Sequence, residues 1–361
     1  MRAIAHIGAT LVCLLAGSIP AFSQITPPEP DPLARIQAQP PQPVCSEAEP
    51  TLCAEAAPKI IANATGSDST IEKNLQVIAS GEGGNAMGAP RPASEVAEVR
   101  AVDWAYSMFR AAGIDAQTET FASPASAAPG QKAVGGENVV AEIRGREKPD
   151  EIVILGAHLD TSVLSENSSG DNYDAAVVIE AARDIFATGL APRRTIRFVL
   201  FADPKPGGAQ GSAGAAAYVG AHRDELDHVV AAIIFAAGEA HISGYSLGAR
   251  HDIEAGVREA LAPLASLETL TVSFDAPLGA DNFDFLLEGV PNLLASGPRA
   301  GPAPKARGAS GAINQVDIHE LQLHAAIAGV TAFDVAEDEA PLGPRLSAAE
   351  VQALLDKAES H

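Results

Sequence analysis

Four short runs of almost unbroken apolar residues do most to narrow what this chain can fold into. They cover residues 138–143, 152–159, 196–202 and 229–236, and helical patterns at 175–188 and 213–226 separate the later ones. Strands that are apolar on both faces and alternate with helices predict a mostly parallel sheet with helices on each side, a three-layer α/β/α domain. A helix is expected at 95–112, where Val96, Val99, Val102, Ala105 and Phe109 recur near helical spacing and Gly113 supplies the stop. A helix at 250–264, strands at 269–274 and 291–295 and a long helix at 318–336 complete the pattern. In such sheets functional groups collect in loops at the carboxyl ends of strands, so a site is expected there.

The flanks read differently. Met1-Arg2, an apolar stretch and Ala21-Phe22-Ser23 resemble a secretory leader spanning 1–23, which places the mature protein in the periplasm or outside the cell. No later segment is apolar and long enough to span a bilayer. Residues 24–68 are crowded with Pro, Ala and Glu and are expected to form a tether. Within it, Cys45 and Cys53 in an exported chain point to one disulfide, with two free thiols as the alternative. The folded domain is expected at 69–340, followed by a tail at 341–361 with a short amphipathic helix. Residues 121–136 leave no room for an inserted second domain.

Charge excludes one class of partner. With 46 Asp+Glu against 24 Lys+Arg, the formal net charge is −22. Nucleic acids are held by clustered cations that displace counterions, and this chain has no such surplus.

Three motifs fail on geometry. In His319-Glu320-Leu321-Gln322-Leu323-His324 the histidines stand five apart, roughly 140° around a helix, so they cannot share a zincin face. Gly211-Ser212-Ala213-Gly214 has Gln210 where a nucleophile elbow needs glycine. Gly81, Gly83, Gly84 and Gly88 precede no strand-to-helix unit and no Lys-Ser/Thr, so phosphate binding has no support.

The informative segment is Ile152 through Leu155, then Gly156-Ala157-His158-Leu159-Asp160-Thr161. Residues two apart at a strand end point the same way, so Asp160 is placed to orient His158 as a metal ligand. Asp171 follows in Ser-Gly-Asp-Asn just before a helix, where a carboxylate can bridge two cations. Taken alone these are also ordinary polar strand ends.

Order and spacing add weight. Asn138-Val139-Val140-Ala141-Glu142-Ile143, the His158-Leu159-Asp160 strand, Arg193-Arg194-Thr195-Ile196-Arg197-Phe198-Val199-Leu200-Phe201-Ala202, Gly279-Ala280-Asp281, Gly289-Val290-Pro291 and Val316-Asp317 follow in sequence. Together they resemble the dizinc aminopeptidase family, metallopeptidase family 28, and within it the carboxypeptidase Q branch, over residues 91–337. The resemblance implies a zinc-exopeptidase α/β/α fold, with two zinc ions at the strand ends and a glutamate that activates the bridging water.

Carried over residue by residue, the resemblance makes His158 a zinc ligand, Asp160 its orienting carboxylate and Asp171 the bridging ligand. After the 196–202 strand the family has a base and a ligand, both glutamates, where this chain reads Asp203-Pro204-Lys205-Pro206. Pro204 thus takes the base position and Lys205 a ligand position. Ala236 and Arg307 occupy the other two ligand positions. A remnant of His158 and Asp171 gives neither zinc the three protein ligands typical of catalytic sites. The expectation is therefore a catalytically silent relative that binds a peptide or a partner protein and needs no cofactor. Lys205 and Arg307 would stand in for the cations opposite Asp160 and Asp171. Two alternatives remain at this stage: an active zinc exopeptidase, and an envelope scaffold acting through tether and tail; separately, Asp203, Glu239 and His241 lie near the lost positions, where with His158 and Asp171 they would rebuild a single metal site.

Overall fold

The computed structural model describes residues 52–80, 93–122, 135–160, 173–203, 213–238, 240–276, 280–297 and 316–359, with backbone alone at 78–80, 93–100, 160, 203, 296 and 359. All of them fall within a unit running from Pro32 to His361. The expected leader at 1–23, Cys45, Asp171, Pro204, Lys205, Glu239 and Arg307 lie outside the described residues.

In chain order the elements are α1 (Leu52–Thr65), α2 (Ile71–Ser80), α3 (Ala93–Ala111), β1 (Asp115–Ala122), β2 (Gly135–Ile143), β3 (Lys148–Asp160), α4 (Tyr173–Ala187), β4 (Arg194–Asp203), α5 (Ala213–Ala221), β5 (Val229–Phe235), β6 (Gly244–Ser246), α6 (Glu254–Ala260), β7 (Thr271–Ser273), α7 (Asn282–Leu287), β8 (Asn292–Ser296), α8 (Ile318–Glu337) and α9 (Ala348–Glu359). The strands form one sheet in the order β1-β2-β4-β3-β5-β8-β6-β7. Its centre, β4-β3-β5-β8, is parallel. On one side β2 and β1 run antiparallel, and on the other β6 is antiparallel to β8 and parallel to β7. The expected parallel core is thus extended into a mixed sheet.

Alternation along the strands separates two cores. Val153, Leu155, Ala157 and Leu159 of β3 face a layer holding α1, α4 and α8, together with Phe198, Ile233 and Leu293 from neighbouring strands. Ile152 and Ile154 face the opposite layer with Val199, Phe201, Ile234, Tyr218 of α5 and Phe285 of α7. Gly156 sits on this second face because a Cβ there would lie 2.7 Å from the Phe201 ring.

Two boundaries differ from the sequence expectation. The tether does not extend to residue 68: α1 is a helix whose Cys53, Ala56, Ala57, Ile60 and Ala64 are buried. These positions recur at helical spacing, and the surrounding Ala and Pro mask the pattern. Pro58 is exposed, so the backbone carbonyl that loses its helical partner faces water. The tail is likewise docked: Val351 and Leu354 of α9 pack with Phe283 and Leu286 of α7. The helix expected at 250–264 divides into α6 and a 3-10 turn, Ala262–Ser266, where Pro263 supplies no N–H to continue the α-helix. Among the described residues no helix is long and apolar enough to cross a membrane.

The amino ends of the parallel strands are closed by charge. Glu337, ending α8, accepts hydrogen bonds from both Arg146 Nη atoms, one of them at 2.6 Å, and from the Arg193 N–H at 2.8 Å. Arg194 is fully buried, donates to Glu151 at 2.6 Å and donates to the carbonyls of Asp338 and Glu339.

Candidate functional site at the strand ends

The opposite, carboxyl ends of the same strands bring the polar residues of interest together. Strand β3 lifts His158 to the rim, on the face that carries Ile152, Ile154 and α7. Its imidazole is 27% exposed, with Nδ1 3.6 Å from Asp281 Oδ2; the Asp281 side chain is 7% exposed. That separation is an ion-pair distance and too long for a hydrogen bond. One position past Leu159, the backbone of Asp160 is in register with Asp203 at the end of β4.

Asp281 stands immediately before α7, and Asp284 follows one turn later on the same side. Burial pushes the Asp284 carboxyl up to about 6, with the nearby Asp281 charge adding to the effect. Its Oδ2 is buried with no hydrogen-bond partner.

Strand β5 ends at Phe235, and exposed Ala236 follows. The next two residues are fixed by Asp174, in the first turn of α4: its carboxylate accepts the Gly238 N–H at 2.8 Å and the Ala237 N–H at 3.3 Å. Gly238 has φ +59°, a left-handed turn that glycine adopts readily. The start of α8 adds a further polar group. Glu320 Oε1 lies 2.9 Å from His241 Nδ1 and 3.2 Å from His324 Nε2. Burial holds the His324 imidazole below its usual range, against the pull of Glu320. Asp317 caps the same helix, accepting the N–H groups of His319 and Glu320.

His158 is thus at the strand end where the sequence reading put it, with the backbone of Asp160 beside it. His241 is engaged by Glu320 and lies 3.8 Å from Glu268. Asp174 and Asp284 carry no sequence motif, and Glu320 belongs to the 319–324 string that fails as a zincin motif. The signal for Asp174 is an acid opening an otherwise apolar Ala-Ala-Val-Val-Ile run. Among the described residues, no group of three or more His, Cys, Asp or Glu is disposed to hold a metal ion.

A sheet whose parallel centre gathers histidine and carboxylates at its carboxyl edge, between two helical layers, defines a protein of the α/β exopeptidase-like class. The model of peptidase family M28 matches residues 138–322, just over half of the 361-residue chain, and the chain belongs to that family. Among curated relatives, carboxypeptidase Q of Xenopus laevis is 29% identical over 154 residues, 43% of this chain and 32% of that protein. Carboxypeptidase Q of Homo sapiens is 33% identical over 91 residues, 25% of this chain and 18% of that protein. The chain's match therefore spans about a third or less of the length of these relatives.

Solved structures share the fold. A peptidase M28 precursor from Shewanella amazonensis SB2B superposes with TM-score 0.64 at 16% identity, covering 81% of this chain and 99% of that one. The LapA aminopeptidase of Legionella pneumophila gives 0.56 at 15%, covering 84% and 79%. A glutaminyl cyclase from Macrostomum lignano gives 0.54 at 14%, covering 84% and 96%. One frame thus carries proteins named for different chemistries.

Proposed function

We propose that this chain is an exported M28 protein that has lost the dizinc centre and acts by binding a peptide or a partner protein at the carboxyl ends of its parallel strands. The observation that carries the reading is the end of β5. There an exposed methyl, Ala236, stands at a position the family resemblance gives to a carboxylate ligand, and Asp174 takes up the next two backbone N–H groups. The remaining substitutions point the same way. Proline offers no ligand atom, while Lys205 and Arg307 are donors without acceptor capacity and repel a cation.

The donor set therefore does not fit two zinc ions, and no step of hydrolysis is assigned to it. On this reading Lys205 and Arg307 carry as side-chain charge what the ions would otherwise supply. The carboxypeptidase, aminopeptidase and cyclase activities named for the relatives remain theirs. The leader-like start at 1–23 supports export to the periplasm or beyond.

Elemental mass spectrometry of the protein, dialysed against micromolar zinc and freed of loose metal, tests the proposal. Near zero zinc per chain is the expected result. Near two per chain, with release of terminal residues from peptides, would overturn it and favour an active exopeptidase.

A further inference from the structure

The pairing of Asp281 with His158 depends on where α7 lies, and α7 is a six-residue helix. A helix of this length has too few internal hydrogen bonds to hold its own conformation in water, so its position is set by what grips it. One side is held by the core, where Phe285 packs with Phe201 and Tyr218 and Asn282 donates to Asn292; the other side and the carboxyl end are held by the last part of the chain.

At the end of α7, Arg345 Nε donates to the Glu288 carbonyl at 2.8 Å and its Nη2 to the Glu288 carboxylate at 3.1 Å. The Leu346 N–H donates to the Gly289 carbonyl at 2.8 Å. Gly289 has φ +77°, and a Cβ there would stand 2.1 Å from the Leu346 carbonyl oxygen, so the two backbones lie directly against each other. Beneath them Arg250, fully buried and in a two-pronged pair with Asp252 at 2.7 Å, donates to the carbonyl of Pro344 at 3.0 Å and to that of Gly289 at 3.4 Å. Along its length, α7 presents Phe283 and Leu286 to Leu346, Val351 and Leu354, all five buried. The strap is itself fixed: Ser347 and Glu350 cap α9 reciprocally, the Ser347 N–H and hydroxyl each 2.7 Å from the Glu350 carboxylate.

We infer that residues 341–359 are a positioning strap that sets Asp281 against His158 by clasping α7 along its apolar face and at its carboxyl end. The inference concerns side-chain placement in the metal-free protein and so rests on the reading that no zinc occupies His158.

The test follows the His158 ring signal in 15N NMR spectra of the full-length protein at one fixed pH. Asp281→Asn defines the signal of the broken pair. The double variant Val351→Ala/Leu354→Ala is expected to move the His158 signal toward that position. It should move it no further when added to Asp281→Asn, and Leu354→Met should leave it at the wild-type position. The exposed His319 ring, on α8, should not respond. Arg345→Gln, which keeps the apolar contacts, should displace the His158 signal in the same direction by less, and it decides the matter if the double variant fails to fold. A His158 signal that stays at its wild-type position in folded Arg345→Gln protein, and in the double variant where it folds, overturns the inference.

Discussion

The two ends of the central strands are built on opposite electrostatic plans. At the amino ends three acids face cations: Glu337 meets Arg146, Glu151 meets Arg194, and Glu147 meets Arg193. At the carboxyl ends Asp281 and Glu320 lie beside imidazoles, and Asp284, next to Asp281, keeps a buried oxygen without a hydrogen-bond partner. Balanced charge with satisfied hydrogen bonds is what a fold needs for stability. Crowded carboxylates cost stability and persist where a surface is shaped for another molecule. The contrast teaches which end of this molecule is scaffold and which is site.

Removing the buried cation from the amino ends is the strongest way to test that division. Arg194→Met leaves Glu151 and two backbone carbonyls without their donor, and about 3 kcal/mol of unfolding free energy should be lost in urea titrations.

Asp184 in α4 is an exception away from the site. Burial raises its carboxyl to about 8, Glu180 adds to the rise, and Arg183 opposes it. A folded-state value above the unfolded one means that the contribution is complete below about pH 4 and is lost as pH climbs through about 8. Wild-type stability should accordingly fall by about 2 kcal/mol between pH 5 and pH 8, and Asp184→Asn should flatten that slope. An unchanged slope in the variant would show that Arg183 already compensates the charge.

The smallest effect is expected at the site, with the opposite sign to Arg194→Met. Asp284 is raised to about 6, so its contribution is present below about pH 4 and lost as pH rises through 6. Asp284→Asn should match the wild type at pH 4 and exceed it at pH 7 by something under about 1 kcal/mol in thermal melts, since the group is partly solvated. A loss of stability at pH 7 would mean that the carboxylate is compensated in the native protein, and the contrast between the two ends would weaken.

The central strands and the long helix α8 were legible because their residues are apolar on both faces, a pattern few other structures produce. His158 was legible as the first polar residue after an apolar run. Strand β1 was not: Asp115-Ala116-Gln117-Thr118-Glu119-Thr120 is polar at nearly every position, and the pairing that makes it a strand comes from β2. Strands β6 and β7, three residues each, are too short to show a period. At the site, Asp281 was visible only as part of a short Gly-Ala-Asp string, because its approach to His158 joins residues more than a hundred positions apart in sequence. Helix α1 was hidden by composition, its helical repeat diluted among alanines and prolines.

That helix has a consequence for how the protein is made. Helix α1, begun at Leu52, buries its apolar stripe in the core shared with α8, which ends at Glu337. A growing chain therefore leaves part of this stripe uncovered until α8 has emerged, and closing so long a loop is slow. Until α8 is delivered, helix α1 is an adhesive surface, and the burden of keeping it from other chains falls on the cell during synthesis.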